Sequence, residues 1–409
     1  MNTPAETPSG PEGGDQTPVS KSLDDLTARV GRITNPKPAK SRSELLATIA
    51  SSLAAIVLAV LIGALILLLT GKSPSAAWDK VMSEGFRTVR LAEAVGRATP
   101  LIVAAVAVAI GFKMNLFNIG VEGQFLIGLF FAAIAGAYVQ LPAVLHIAFI
   151  LVVAMAAAAL WAAIPAVLKV KRGVNEVIAT IMLNSIALSV IDWLFQEKFR
   201  HPLPGNLDVK TKVLPSTAWL PTLFTAVSKE GKRVSRYEVT SFLLVALVVV
   251  ILFWLLVYKS RFGFRLRASG ANAVAARTAG ISSNRMIVTA MLLSGAIAGL
   301  AGMPYLLSGD GHAYGPSRPD QYGFNGISVA LLGRNHPAGI VAAALLWGWL
   351  DSLVGPLGLA KVPPSIVYVI KAIILLSVVI LNEVVGRRVA KRTADRTAAQ
   401  LEAVEVAAA

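Results

Sequence analysis

Long apolar runs without charge recur along the chain from about residue 45 to residue 381. The first, Leu45 to Gly71, contains no charged side chain and is long enough to cross a bilayer. The pattern therefore predicts an all-α polytopic membrane protein of about ten transmembrane helices. The spans are expected at roughly 45–70, 92–111, 122–140, 144–168, 175–195, 239–258, 284–307, 324–335, 338–355 and 363–381.

Two of these apolar regions are interrupted near their middles, one at residues 112–122 and one at Gly333–Pro337. Lipid offers polar groups no hydrogen bonds, so such residues are kept where protein or water satisfies them. Paired interruptions in two halves of a chain indicate discontinuous helices, a possible internal repeat and a solute site between the halves. The alternative is a pair of short cytoplasmic turns.

Composition divides the 409 residues into three parts. Residues 1–42 are rich in Pro, Gly, Ser and Thr and are expected to be a disordered tail. Residues 43–385 form the membrane domain, and residues 386–409 form a second tail. An even number of spans puts both tails on one side, and basic connections favour the cytoplasm for that side. Segment 196–238 opposes this orientation, because it would lie outside with eight Lys or Arg residues.

The net charge of +15 accompanies a chain that is 55% hydrophobic. In such a chain, basic residues flank spans and face anionic lipid, so we expect no nucleic-acid partner. The chain has no Cys, its four His residues are scattered, and no catalytic constellation is apparent. We therefore predict no enzyme activity, no metal site and no cofactor. Gly71–Ser73 lacks the upstream Gly of a phosphate-binding loop, so any ATP must be used by a separate subunit.

The first interruption supplies most of the candidate residues for contact with a solute. A carboxylate near a span is costly unless it is paired or wet, which makes Glu122 the strongest of them. Its alternative role is to cap its own helix or to pair with Lys113. The amides could equally satisfy backbone groups freed at the break. The predicted solute-binding residues are Asn115, Asn118, Glu122, Gln124 and Asn184.

Two further features favour structural roles. Lys371 lies within the last predicted span, where we expect it to form an ion pair with Asp351. Gly295 and Gly299 form a GxxxG motif, which permits close contact between helices.

The connection from Arg267 to Arg285 is rich in Ala and is punctuated by Gly. Residues Ala271 to Ala279 are predicted to form a short surface helix that ends at Gly280. Small side chains and basic flanks suit docking into a partner's groove, and the alternative is a solvated connector. The predicted docking residues are Ala271, Asn272, Ala275, Ala276, Arg277, Ala279 and Gly280.

Four segments together resemble a known family: NIGVEGQFLIG (118–128), GVNEVIATIMLN (173–184), GANAVAARTAGI (270–281) and GFNGISVALLGRNHPAGI (323–340). They are similar to the integral permease subunits of bacterial ABC importers for nucleosides and simple sugars. These form a branch of the branched-chain amino acid and ribose permease group. The resemblance covers about residues 45–385.

The resemblance implies a multi-pass permease of the bacterial cytoplasmic membrane with both termini in the cytoplasm. Its implied partners are an ABC ATPase subunit, a second permease subunit in a heterodimer, and an extracytoplasmic substrate-binding lipoprotein. It also implies a nucleoside or sugar as solute, with the ATPase docking at residues 270–281. The alternative function is a stand-alone ion-coupled carrier, which would need acids such as Glu122, Asp192 and Asp351 to change charge.

Overall fold

The computed structural model describes residues 42–202, 209–225, 238–308 and 311–380, together with positions 384, 387 and 398. The two predicted tails, 1–42 and 386–409, therefore fall almost wholly outside the described residues. Contacts group residues 55–379 into one compact unit, and the chain ends form another. The description below concerns the unit of residues 55–379.

The described chain is predominantly helical. The helices are α1 Arg42–Leu69, α2 Pro74–Glu84, α3 Thr88–Lys113, α4 Val121–Tyr138, α5 Ala143–Arg172, α6 Glu176–Leu194, α7 Phe242–Trp254, α8 Arg261–Ala271, α9 Ala273–Thr278, α10 Ser283–Gly299, α11 Met303–Leu307, α12 Tyr322–Leu332, α13 Pro337–Ser352, α14 Val354–Leu359 and α15 Pro364–Ile380. Single π-helical turns extend α6 through Phe199 and α7 through Lys259, and a 3₁₀ turn joins α10 to α11.

The predicted all-α polytopic membrane fold is confirmed. In the described part of the chain, seven helical stretches are long and apolar enough to cross a membrane. Three shorter apolar stretches, Val57–Leu69, α12 and α15, coincide with the remaining predicted spans. Helix boundaries differ from the predicted ones by a few residues, because caps and turns end helices where hydrophobicity does not change.

The two ends of the bundle carry different structures. Two small antiparallel hairpins precede α7: β1 His201–Pro202 pairs with β2 Val209–Lys210, and β3 Thr222–Phe224 pairs with β4 Val239–Thr240. α8 and α9 follow α7. Because α7 and its π turn span 18 residues, or about 27 Å, the hairpins and α8–α9 lie at opposite ends. We call these the strand end and the α8–α9 end.

α3 is the central helix of the bundle. Every residue from Ala98 to Gly111 is buried, and α7, α10, α12 and α13 pack around it. These positions are nearly all Ala, Val, Ile or Leu. Small side chains let the surrounding helices approach closely, which is how membrane helices gain van der Waals contact without a hydrophobic driving force.

The predicted close contact at the GxxxG motif is confirmed between α10 and α5. A Cβ added at Gly299 would lie 2.8 Å from the carbonyl carbon of Ala154 and 2.9 Å from the Cβ of Ala158. A Cβ at Gly295 would similarly meet the α5 backbone at Ala158 and Ala159. The two helices therefore touch backbone to backbone at these positions.

This contact yields a stability prediction. Gly299→Ala forces α5 and α10 apart and should cost about 1–3 kcal/mol, seen as a lower thermal midpoint of the detergent-purified protein. Gly355→Ala is the matched control, because a Cβ there would meet nothing within 4 Å. Equal midpoints for the two variants would contradict the packing argument.

Candidate functional site

α12 is a half-helix that begins part-way along the bundle, where Gln321 is exposed and Gly323 is buried. Its 11 residues span about 16 Å, whereas a bilayer core is about 30 Å thick. The turn after it lies at the α8–α9 end, where the Tyr258 hydroxyl donates to the Asn335 carbonyl at 3.4 Å. The predicted interruption at Gly333–Pro337 is thus an ordinary turn, with Arg334 and Asn335 in the left-handed region. The discontinuity lies instead at the N-terminus of α12.

Glu122 holds that N-terminus. Its carboxylate accepts hydrogen bonds from the backbone N–H groups of Gln321, at 2.6 Å, and Gly323, at 2.7 Å. A helix N-terminus has unsatisfied N–H groups and the positive end of the dipole, so a buried carboxylate is well matched to it. The partner is therefore a helix some 200 residues away, and Lys113 instead lies over the ring of Tyr258.

Asn118 and Gln124 form a closed amide pair at the break before α4. Each donates its amide N–H to the other's oxygen at 3.0 Å. Asn118 also donates to the Ser294 hydroxyl at 2.9 Å, and Ser294 donates to the Ala107 carbonyl at 2.7 Å. The pair thereby ties the break to both α10 and α3.

Asn184 bridges the same break from α6. Its amide oxygen accepts from the Gly123 N–H at 2.9 Å, and its amide nitrogen donates to the Ile119 carbonyl at 3.1 Å. These hydrogen bonds are therefore all made within the chain, by Asn118, Gln124 and Asn184. A role for them in solute contact stays a prediction.

Asn115 is set apart from the other four predicted residues. It is exposed, its φ is 58°, and it borders a cavity of about 300 Å³ at the α8–α9 end. Lys169, Ser269 and Asn272 line the same cavity. A Cβ added at Gly270 would lie 2.8 Å from the Cα of Met114. The connection that contains α8 and α9 therefore packs directly against residues 114–122, which we call the interrupted segment.

The predicted surface helix is present but shorter than expected. It runs from Ala273 to Thr278 because Asn272 caps it, accepting from the N–H groups of Val274 at 2.9 Å and Ala275 at 3.0 Å. Gly280, with φ of 75°, follows it. Its residues are exposed apart from Ala276, which is 3% exposed and so cannot offer its side chain to a partner.

Two polar cavities lie on the side of α12 that faces the strand end, and the sequence did not predict them. One of about 320 Å³ is bordered by β4 and by Tyr305 and Ser308, and one of about 260 Å³ by Arg97 and Asn325. Both are lined by Pro319, Asp320 and Tyr322 of the loop that leads into α12. This loop leads from the strand end to the N-terminus of α12, where Gly323 is buried, and the two cavities flank it.

The cations that line the second cavity are already paired. Lys371 forms the predicted ion pair with Asp351, and its ammonium lies 5.1 Å from the centre of the Trp347 ring. Arg97 donates to Glu93 at 3.0 and 2.8 Å. Three charged residues of this cavity stand inside predicted apolar spans, and they are the signal that could have pointed to it from the sequence: Arg97, Asp351 and Lys371.

The loop between α11 and α12 is anchored at the strand end through Tyr314. Its carbonyl accepts from the Thr211 N–H at 2.8 Å, and its N–H donates to the Thr211 hydroxyl at 3.0 Å. Burial raises the pKa of the Tyr314 hydroxyl, so this group stays neutral at physiological pH. Arg318 lies 5.2 Å from the centre of the same ring.

Residues 90–379 match the family described as the branched-chain amino acid transport system / permease component. The chain belongs to this family. It is therefore the membrane-embedded permease component of a transport system, not an enzyme. The matched range contains α12, the interrupted segment before α4 and the α8–α9 connection.

Characterised relatives cover most of this permease. The guanosine ABC transporter permease protein NupP of Bacillus subtilis is 38% identical over 80% of this chain and 91% of its own. The nucleoside ABC transporter permease protein NupB of Lactococcus lactis is 32% identical over 79% of this chain and 88% of its own. The glucose ABC transporter permease protein TsgB13 of Haloferax volcanii is 34% identical over 70% of this chain and 75% of its own.

A solved structure described as an inward-facing metal-chelate type ABC transporter covers 83% of this chain and 99% of its own. Its TM-score is 0.39 and its sequence identity is 14%, so the likeness does not bear on the fold of this permease.

The contact between Glu122 and α12 generates a prediction. Glu122→Gln keeps the shape but turns an N–H toward the two backbone N–H groups, so at least one hydrogen bond is lost. We expect a cost of about 1–3 kcal/mol, measured as a lower thermal midpoint, together with reduced transport. Glu84→Gln is the control, because Glu84 pairs with the exposed Arg87 at the surface and such pairs contribute little. Equal stability of the two variants would show that the α12 N-terminus is held by other contacts.

Proposed function

We propose that this permease imports nucleosides, or related simple sugars, across the bacterial cytoplasmic membrane with energy from a separate ATPase. The observation that carries the proposal is the similarity over about four fifths of the chain to permeases named for guanosine and nucleosides. The pair of polar cavities around the loop before α12 offers such a solute a place to enter. An ion-coupled carrier is not favoured, because the relatives are named as ABC transporter permeases.

The proposed orientation places the α8–α9 end in the cytoplasm and the strand end outside. The ATPase would dock on the exposed surface of α9 and its flanks, where Val274 is 61% exposed. The small residues around it leave the backbone accessible to a partner's groove. A second permease, forming a heterodimer, and a binding lipoprotein at the strand end complete the proposed assembly.

The contacts of the interrupted segment suggest how movement reaches the solute. Gly270 packs against Met114 at one end of the segment. At the other end, Glu122 accepts a hydrogen bond from the N-terminus of α12. Segment 114–122 therefore joins the proposed docking surface to the loop that lines both cavities. A shift of α9 driven by the ATPase would be passed along backbone contacts to that loop.

Uptake into reconstituted vesicles tests the proposal. We expect labelled guanosine to accumulate only when the permease is assembled with its ATPase and binding protein and ATP is present on the ATPase side. Vesicles with a nonhydrolysable nucleotide provide the baseline. Accumulation by the isolated chain under an ion gradient would contradict the proposal.

The docking surface has its own test. Arg277→Glu reverses an exposed charge on α9 and should weaken binding of the ATPase at least about tenfold, measured by pull-down of the purified subunits. Arg172→Glu is the matched control, because Arg172 is also exposed and basic but ends α5. Equal ATPase binding by both variants would remove α9 from the interface.

A further inference from the structure

We propose that the loop Ser317–Tyr322 carries a recognition site for the pentose diol of a nucleoside, with Asp320 as the group that accepts its hydroxyl hydrogens. This inference deepens the proposed function and rests on it. Asp320 lines both cavities, of about 320 and 260 Å³, so a solute in either cavity lies beside this residue. Solute sites commonly have volumes of about 300 Å³ or more.

The charge balance of the cavities singles out Asp320. Lys371 is paired with Asp351, and Arg97 with Glu93. Arg318 lies 3.8 Å from Asp192. Within the described residues, Asp320 has no hydrogen bond or ion pair. Two other acids line the cavities: Glu238 accepts from the hydroxyls of Thr222 and Thr225, and Asp351 pairs with Lys371. Among the cavity-lining carboxylates that the structure describes, Asp320 is therefore the one with neither a hydrogen bond nor an ion pair.

A free carboxylate suits a vicinal diol. An ionised Asp is an acceptor only, with two oxygens that can each take a hydrogen bond from a hydroxyl. Dinucleotide-binding folds use an acidic residue on the ribose 2′-hydroxyl in the same chemical sense. An anionic solute would be repelled here, whereas a neutral nucleoside donates both of its ribose hydroxyls.

A second polar group, the side chain of Asn325 on α12, lines the second cavity. Asn325 accepts a hydrogen bond at 3.2 Å from the indole N–H of Trp347. Indole nitrogen can only donate, so this contact turns the amide oxygen of Asn325 toward Trp347 and leaves its N–H₂ group to donate elsewhere. That group supplies a donor to a carbonyl or ring nitrogen of a base.

Aromatic rings complete the match to a nucleoside. Tyr322 lines both cavities, and Tyr368 lines the second one. The ring of Tyr322 is itself backed by Phe125, with centroids 5.7 Å apart. Bases stack on aromatic side chains regardless of their identity, which suits a permease that accepts several nucleosides.

The experiment measures solute binding at the permease itself, independently of uptake. The chain has no Cys, so Ser317→Cys introduces a single thiol at an exposed position that lines the first cavity. The rate of maleimide labelling is followed in the assembled, reconstituted transporter. Millimolar guanosine is compared with its 2′,3′-dideoxy analogue, which lacks both hydroxyls.

We expect guanosine to slow the labelling and the dideoxy analogue to do so at least about tenfold more weakly. Adding Asp320→Asn should weaken protection by guanosine by a similar factor, because the amide can accept at only one oxygen. Asp320→Glu should restore part of it. Asp79→Asn is the control, since Asp79 is an exposed acid remote from both cavities, and it should leave protection unchanged.

Equal protection by the two solutes, absence of protection, or protection unaffected by Asp320→Asn would each overturn the inference. These outcomes are separable from failure of the proposed function, which is read from ATP-dependent uptake by the unsubstituted chain. A transporter that accumulates guanosine while its labelling is indifferent to Asp320 would keep the function and lose this site.

Discussion

The rest of the arrangement depends on the hydrogen bonds that the N-terminus of α12 donates to the buried carboxylate of Glu122. A helix that starts inside a membrane bundle exposes N–H groups that lipid cannot satisfy. Glu122 satisfies two of them at Gln321 and Gly323, and it is itself only 5% exposed. The helix end and the carboxylate would each be costly alone, and together they let α12 begin part-way along the bundle.

The polar residues around the break likewise satisfy groups that lipid could not. Asn118 and Gln124 bond each other, and Asn118 also donates to Ser294. Asn184 accepts from the Gly123 N–H and donates to the Ile119 carbonyl, two backbone groups at the break. A partly satisfied network of this kind would be worse than an apolar core, whereas a closed one fixes a single geometry. The segment before α4 is therefore fixed in one geometry by hydrogen bonds to α10, α3 and α6.

The sequence predicted the membrane architecture well because apolar runs are a strong local signal. The seven full spans of the described chain, the ion pair between Lys371 and Asp351 and the close packing at Gly299 follow from residues that are near in the sequence or alike in chemistry. The predicted span 324–335 is instead the half-helix α12. The α9 helix was also predicted, but its first turn was misplaced because Asn272 acts as its cap.

What the sequence could not provide were partners separated by many residues. Nothing local indicates that Glu122 binds the start of α12, because that pairing arises only when the loop before Tyr322 descends into the bundle. For the same reason the sequence offered Gly333–Pro337 as the second discontinuity, with a short turn as the alternative, and gave no sign of the one at Gln321. The polar loop 311–321 has the composition of an ordinary connection, so nothing in the sequence indicates a role for Asp320.

A structure of the assembled transporter determined with a nucleoside bound is the most direct measurement of the central claim. We expect density for the solute beside the loop 317–322, with its pentose within hydrogen-bonding distance of Asp320. Density instead among Asn118, Gln124 and Asn184, with the contact between Glu122 and α12 broken, would contradict it.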